Sequence, residues 1–418
     1  MNSLLSDTVR DVFARWDAFR HAVTSLAAAP AVRADIAGLQ GAATSFFVSA
    51  FADANRNNCI SALQYTTTGR YPQGQNAVKS SARALDCMIV VPNGQTANDV
   101  MTDLATALGD RAELFQLPWW GQLPYRSAAV GSAVFGMRSG VLAMLSLQRQ
   151  SLTRQTKPRL FVVTQRALQS PVPDPAYVRS LVFSLYKGAE IDPTDLAEKL
   201  TTIGYTRVPK TSVPGEFTLR GEVLDIFTPG APLPVRIVFD FDAVGQIKSF
   251  DPETQTTVAP QDSLLVYPMK EVVWTDELVE RLRAHLSARE RGGDGKPPLV
   301  LTDAAKKAQE KLLDELTLSR ESEGEELFYP ALWDRQYSVL DYLGDDAAVF
   351  FVDYDRLANA QESFDREYAG MFRTARQELP VAGVGQCRDH PALDDVAAVR
   401  HHSVFTGAVR EHENPCGV

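Results

Sequence analysis

Between Val182 and Pro268 the apolar residues fall on every second position, whereas on both sides of that block they recur at helical spacing between short apolar runs. The segments "GEFTLRGEVLDIF" and "PVRIVFDFDAVGQIKSFD" alternate around turn residues, the pattern of antiparallel strands with one face on a core. A helix is expected against one face, near Asp192 to Ile203. The flanks read differently. Met88 to Val91 and Leu160 to Val163 are continuous apolar runs, and Val100, Met101, Leu104 and Leu108 form a helical stripe behind the first of them. A helix is expected over about 132 to 148, and strand–helix alternation resumes at "AAVFFVD", which implies a parallel sheet. The expected architecture is an α/β parallel-sheet domain in two segments, 1–181 and 269–385, interrupted by a small α+β domain at 182–268, with a tail at 386–418.

Charge narrows the function classes. The chain of 418 residues carries a net charge of −10, which argues against coating nucleic acid through a broad basic face. The block 182–268 itself holds seven basic and twelve acidic residues, so direct phosphate binding there is disfavoured. Cys59, Cys87, Cys387 and Cys416 are too scattered for a paired-cysteine metal site, and free thiols are expected. In the tail, Cys387, His390, His401, His402, His412 and Cys416 have zinc-like spacings but no periodic core around them, so no metal is expected. No apolar run reaches spanning length and the N-terminus carries acids among its apolar residues, so the expected location is cytoplasmic, away from membranes.

The stretch "GLQGAATS" lies between the alternating run Val32 to Ile36 and a helical stripe through Phe47, Ala50, Phe51 and Ala54. In register with the phosphate-binding loop G-x-x-x-x-G-K-[ST], Gly38 is the first glycine, Gly41 lies within the turn, Ala43 replaces the second glycine, Thr44 replaces the lysine and Ser45 keeps the hydroxyl. Without the lysine a triphosphate loses its main countercharge, and the Ala43 methyl crowds the backbone approach. A scaffold turn is therefore expected, with neither ATP nor magnesium bound by this chain. A hydrolase would need Arg70, Lys79 or Arg83, from the polar stretch 55–85, to replace the lysine. Acidic runs such as "ESEGEE" read as solvated faces.

"GLQGAATS", "LPWWGQLPYR" at 117–126 and "GEFTLRGEVLDIFTPGAPLPVRIVFDFDAVGQIKSFDPETQTTV" at 215–258 occur in one order along the chain. That order resembles the N-terminal region of the bacterial transcription-repair coupling factors, a region similar to the excision-repair protein UvrB. The resemblance can be followed to about Pro380 and implies a degenerate helicase-like, P-loop-type fold. UvrB itself resembles a functional helicase with a P-loop lysine and an aromatic hairpin after "LPY"; here Thr44 stands at the lysine and Tyr125 leads towards a helix. The resemblance therefore implies a non-enzymatic module that recruits UvrA in nucleotide-excision repair. It also implies that the motor, which uses ATP and magnesium, and the contacts with RNA polymerase and duplex DNA belong to other domains of such proteins. The module would pack on that motor and restrain it. The alternative is a UvrB-like DNA-dependent ATPase or helicase subunit.

By the same resemblance Arg220 and Arg236 match arginines that contact UvrA, and with Phe239 and Asp240 they are the expected UvrA contacts; the family usually has an aromatic where this chain has Asp240, with Phe239 and Phe241 on either side. A guanidinium suits bidentate pairing with a carboxylate across a polar interface. An internal pair with Glu216, Glu222 or Asp225 is the other reading of these arginines. Strand alternation puts Asp240 on the face of Arg236, where it could also pair with it, and Phe239 on the opposite face. In "LPWWGQLPYR", Trp119 and Gly121 replace usual acids. Trp119, Trp120 and Tyr125 suit either core lining or base stacking, and core lining is expected.

Overall fold

The computed structural model describes residues 16–28, 36–54, 86–121, 132–147, 157–292, 301–344 and 347–378. Twelve strands lie within them: β1 Asp86–Val91, β2 Glu113–Leu117, β3 Arg159–Thr164, β4 Phe183–Tyr186, β5 Thr206–Arg207, β6 Glu216–Arg220, β7 Val223–Ile226, β8 Val235–Asp240, β9 Ala243–Phe250, β10 Thr257–Gln261, β11 Ser263–Val266 and β12 Ala348–Phe351. Two compact units emerge, one formed by Met1–Trp119, Leu147–Leu168 and Leu343–Phe364, the other by Trp120–Ser146, Gln169–Tyr342 and Asp365–Val418.

The first unit is built on a four-stranded sheet in the order β12-β1-β3-β2, with every neighbouring pair parallel. Strand β1, "DCMIVV", is buried at all six positions, as a parallel strand covered on both faces must be. Cys87, Ile89 and Val91 on one face pack with Val100, Leu104 and Leu108 of the helix Gly94–Leu108. That helix starts where the Asn93 side chain accepts the Thr96 amide and stops at Gly109, whose φ is 52°, a conformation glycine adopts without a Cβ penalty. Phe19, Val23, Phe47, Val48 and Phe51 complete the same core. At the entrance to the sheet Asp86 and Arg159 are register partners on β1 and β3 and form a buried ion pair at 3.1 Å. The parallel arrangement agrees with the alternation of strand and helix in the sequence. Of the expected strand Val32 to Ile36, only Ile36 lies within the described residues, and it is exposed.

The second unit holds the period-two block. Strands β5 to β10 form a six-stranded sheet in the order β10-β9-β8-β7-β6-β5. All its pairings are antiparallel except β5 with β6. Its inner face carries Phe217, Leu224, Ile226, Val235, Ile237, Phe239 and Ile247, packed with Leu196, Ala197 and Leu200 of the helix Pro193–Thr202. Asp192 caps that helix by accepting the Thr194 and Asp195 amides, and Pro193 follows at the first turn, where its missing N–H costs nothing. The entering strand β4 and the leaving strand β11 pair with one another, Phe183 opposite Val266.

The same unit contains a second core of Trp120, Val272, Trp274, Leu278, Leu282, Leu316, Tyr329 and Leu332. At its centre the Trp120 indole and the Arg138 guanidinium both donate to Glu271 Oε1, the indole at 2.6 Å, and neither charged side chain is exposed. Arg138 lies over the Trp120 ring at 4.7 Å. Residues 269–342 cluster with the six-stranded sheet and 343–364 with the parallel sheet. No helix among the described residues is long and apolar enough to cross a membrane.

Candidate functional site

The outer face of the six-stranded sheet is a row of polar side chains set by strand register. Thr218, Asp225, Arg236 and Lys248 are consecutive cross-strand partners on β6, β7, β8 and β9. Side chains in register across a sheet share a face. Arg220, two residues along β6 from Thr218, shares it too, so it and Arg236 stand two strands across and two residues along, about 12 Å apart. Burial alternates along β8, with Val235, Ile237 and Phe239 buried and Asp240 exposed.

Arg236 is held on several sides. Its Nε and Nη2 donate to the two oxygens of Asp225 at 2.7 and 2.8 Å, and Nη2 also donates to Gln255 Oε1 at 3.0 Å. Its guanidinium lies 4.6 Å from the centroid of the fully buried Phe250 ring. The hydrogen bonds to Asp225 push the guanidinium pKa further up from its ordinary value. Of the internal partners weighed for it, Asp225 is the one used, and Asp240 is left for solvent. Arg220 is exposed and donates to the Pro209 carbonyl. The chain at residues 208–211 lies along β6, where Thr218 Oγ1 donates to Val208 O and the Thr211 and Thr218 hydroxyls meet at 3.0 Å.

Phe239 is corrected as a partner contact: it is 3% exposed and packs in the domain core, because alternation turns it away from the arginine face. The exposed aromatic is its neighbour Phe241, 82% exposed at the two-residue tip between β8 and β9. Its φ of 55° is a left-handed conformation that a bulky residue adopts at a cost. Replacing Phe241 with asparagine, which tolerates this region, is expected to raise stability by about 0.5–1 kcal/mol. A lower urea midpoint for that variant would show that the ring contributes packing.

In the turn that resembles a phosphate loop, Gly38 and Gly41 have φ values of 85° and 56°, and a helix spans 42–54. Ser45 is buried and its hydroxyl donates to Asp103 Oδ2 at 3.1 Å. The Ala43 and Thr44 amides donate to the Gln40 and Gly41 carbonyls. Here the serine hydroxyl and these two amides tie the turn to the protein's own atoms. Trp120 is core, as described, and Trp119 lies under Arg166 at 4.8 Å. Tyr125, residues Arg70, Lys79 and Arg83, and the cysteines and histidines of the tail lie outside the described residues. Among the described residues no group of three or more acids, histidines and cysteines could hold a metal ion.

The profile of the UvrB interaction domain family matches residues 183–272, the sheet that carries this face. The transcription-repair-coupling factor of Myxococcus xanthus is 30% identical over 69% of this chain and 24% of its own length. That of Borreliella burgdorferi is 25% identical over 64% of this chain and 21% of its own. The UvrABC system protein B of Kosmotoga olearia is 31% identical over 45% of this chain and 30% of its own. The matched portion thus spans about a quarter of the length of these coupling factors. Residues 183–272 thus match the UvrB interaction domain family, and the chain as a whole is similar to a portion of the transcription-repair-coupling factors and of a UvrABC system protein B.

Proposed function

We propose that this chain is a docking module that recruits UvrA through the outer face of its interaction domain, serving nucleotide-excision repair at stalled transcription. The observation that carries the reading is the pair Arg220 and Arg236, presented on one face of the sheet that matches the interaction family. Asp240 and Phe241 lie at the far end of β8 and extend the face. In this reading the module performs no chemistry. RNA polymerase and duplex DNA are engaged by other domains of a coupling factor, the ATP- and magnesium-dependent motor is elsewhere, and the module restrains that motor by packing on it. The alternative, a DNA-dependent ATPase, lacks a cation at Thr44, and Ser45 is bonded to Asp103. A P-loop of the helicase kind is thus proposed only as an ancestral shape for Gly38 to Ser45, with no cofactor of its own. Labelled ATP retained by the purified chain would overturn that part.

The test is capture of purified UvrA by the chain and by Arg220→Glu and Arg236→Glu. Each reversal is expected to weaken capture at least tenfold, since an opposed like charge at an interface costs more than a lost contact. Unchanged capture by both variants would sink the proposed face.

A further inference from the structure

We infer that the turn Asp251–Thr256, together with Asp225 and Phe250, is a positioning device that aims the Nη1 end of Arg236 at an oxygen acceptor on the docking partner. The inference rests on the docking reading and deepens it, by assigning work to residues that touch no partner themselves.

The geometry accounts for each part of the guanidinium. Nε and Nη2 are taken by Asp225, Nη2 again by Gln255, and one side of the group is stacked near Phe250. Among the described residues Nη1 donates to no protein atom, so its two N–H groups are the end left to present. Arginine loses several rotatable bonds when it is fixed at an interface. A guanidinium already locked in the free protein has that cost behind it.

The turn is built for this hold. The Asp251 carboxylate accepts the Glu253 and Thr254 amides at 2.9 and 2.8 Å. The Asp251 amide reaches the Thr256 carbonyl, and the Gln255 amide returns to the Asp251 carbonyl. Gln255 sits at φ 62°, where a side chain of its length is uncommon. Its Nε2 donates to the Pro252 carbonyl, which fixes which side of the amide faces Arg236. A non-glycine residue at positive φ, over-determined by its surroundings and aimed at one functional side chain, is where a strained conformation serves function. Glycine there would relieve the backbone and remove the amide. That makes Gln255→Gly a variant that folds.

The experiment is a double-mutant cycle on UvrA binding by the full chain, using Gln255→Gly, Arg236→Ala and both together, with thermal unfolding measured alongside. Gln255→Gly is expected to weaken binding about threefold to tenfold with unfolding unchanged or raised, and to have no further effect once Arg236 is alanine. The same loss in both backgrounds, or none in the native background, would overturn the inference. The Arg236 Nη2–H proton resonances give a readout without UvrA: the proton accepted by Gln255 is expected to be slowly exchanging in the native chain and averaged with solvent in Gln255→Gly. If the native chain fails to bind UvrA, the docking reading falls. In that event an Nη2–H signal indifferent to Gln255 overturns the positioning as well, and a signal lost in Gln255→Gly upholds it.

Discussion

Replacing Glu271 with leucine is expected to lower stability by about 3–5 kcal/mol, the range for removing one partner of a buried ion pair. The carboxylate accepts from both the Arg138 guanidinium and the Trp120 indole, and the exposure of both charged side chains is 0%. Its loss removes the carboxylate that faces this guanidinium inside a core lined by Trp274, Tyr329 and Leu282. Urea unfolding followed by tryptophan fluorescence measures the effect, since Trp120 and Trp274 lie in this core. The double variant Arg138→Met with Glu271→Leu is expected to recover most of the loss, because two apolar side chains need no desolvated charge. A cost below about 1 kcal/mol for Glu271→Leu alone would mean that water reaches the pair.

Glu326→Gln is expected to act in the opposite direction and only at higher pH. Burial, followed by the neighbouring Glu325, Glu271 and Glu323 carboxylates, pushes Glu326 from an ordinary 4.5 up to about 7. It is 2% exposed. The folded chain therefore binds this proton more tightly than the unfolded chain. Its contribution to stability is fully present below about 4.5 and is lost as pH rises towards about 7. The amide resembles the protonated acid and does not titrate. The variant is expected to match the native chain near pH 4.5 and to exceed it at pH 8 by about 3 kcal/mol, the equivalent of the shift. Unfolding midpoints for the two chains that stay in constant ratio from pH 5 to 8 would refute a neutral, buried Glu326.

Much of the fold is legible in the sequence for definite reasons. The six buried positions of Asp86–Val91 appear as an apolar run because a parallel strand is covered on both faces. The inserted sheet appears as alternation because one of its faces is polar, and the helix Pro193–Thr202 is announced by Asp192 and Pro193. What could not be read depends on closure in space. Arg138 is conspicuous as a lone charge in the apolar helix Ser132–Leu147, but its partner Glu271 is 133 positions away. The resumed strand–helix alternation after Pro268 points to the parallel-sheet domain, whereas much of that segment packs around this distant pair.

The candidate site was legible in its faces and illegible in its contacts. Alternation alone separates Asp240 from Phe239, and the structure keeps that separation while placing Phe239 in the core. It cannot say that Arg236 chooses Asp225 over Asp240. That choice is made by cross-strand register, in which Asp225 lies opposite Arg236 on the adjacent strand. Gln255 was visible only as part of a long motif, since its use depends on a left-handed φ that no side-chain pattern encodes.

The pairing of β4 with β11 makes the interaction domain a cassette. With Phe183 opposite Val266, the chain enters and leaves through points about 5 Å apart, and most of the core that the helix and sheet share comes from the residues between them, with Met269 and Val273 added from just beyond. A host needs to offer only a single turn, with two neighbouring ends, to receive such an element. The cassette can then change hosts by insertion, carrying its arginine face intact and leaving the order of the host's own strands undisturbed.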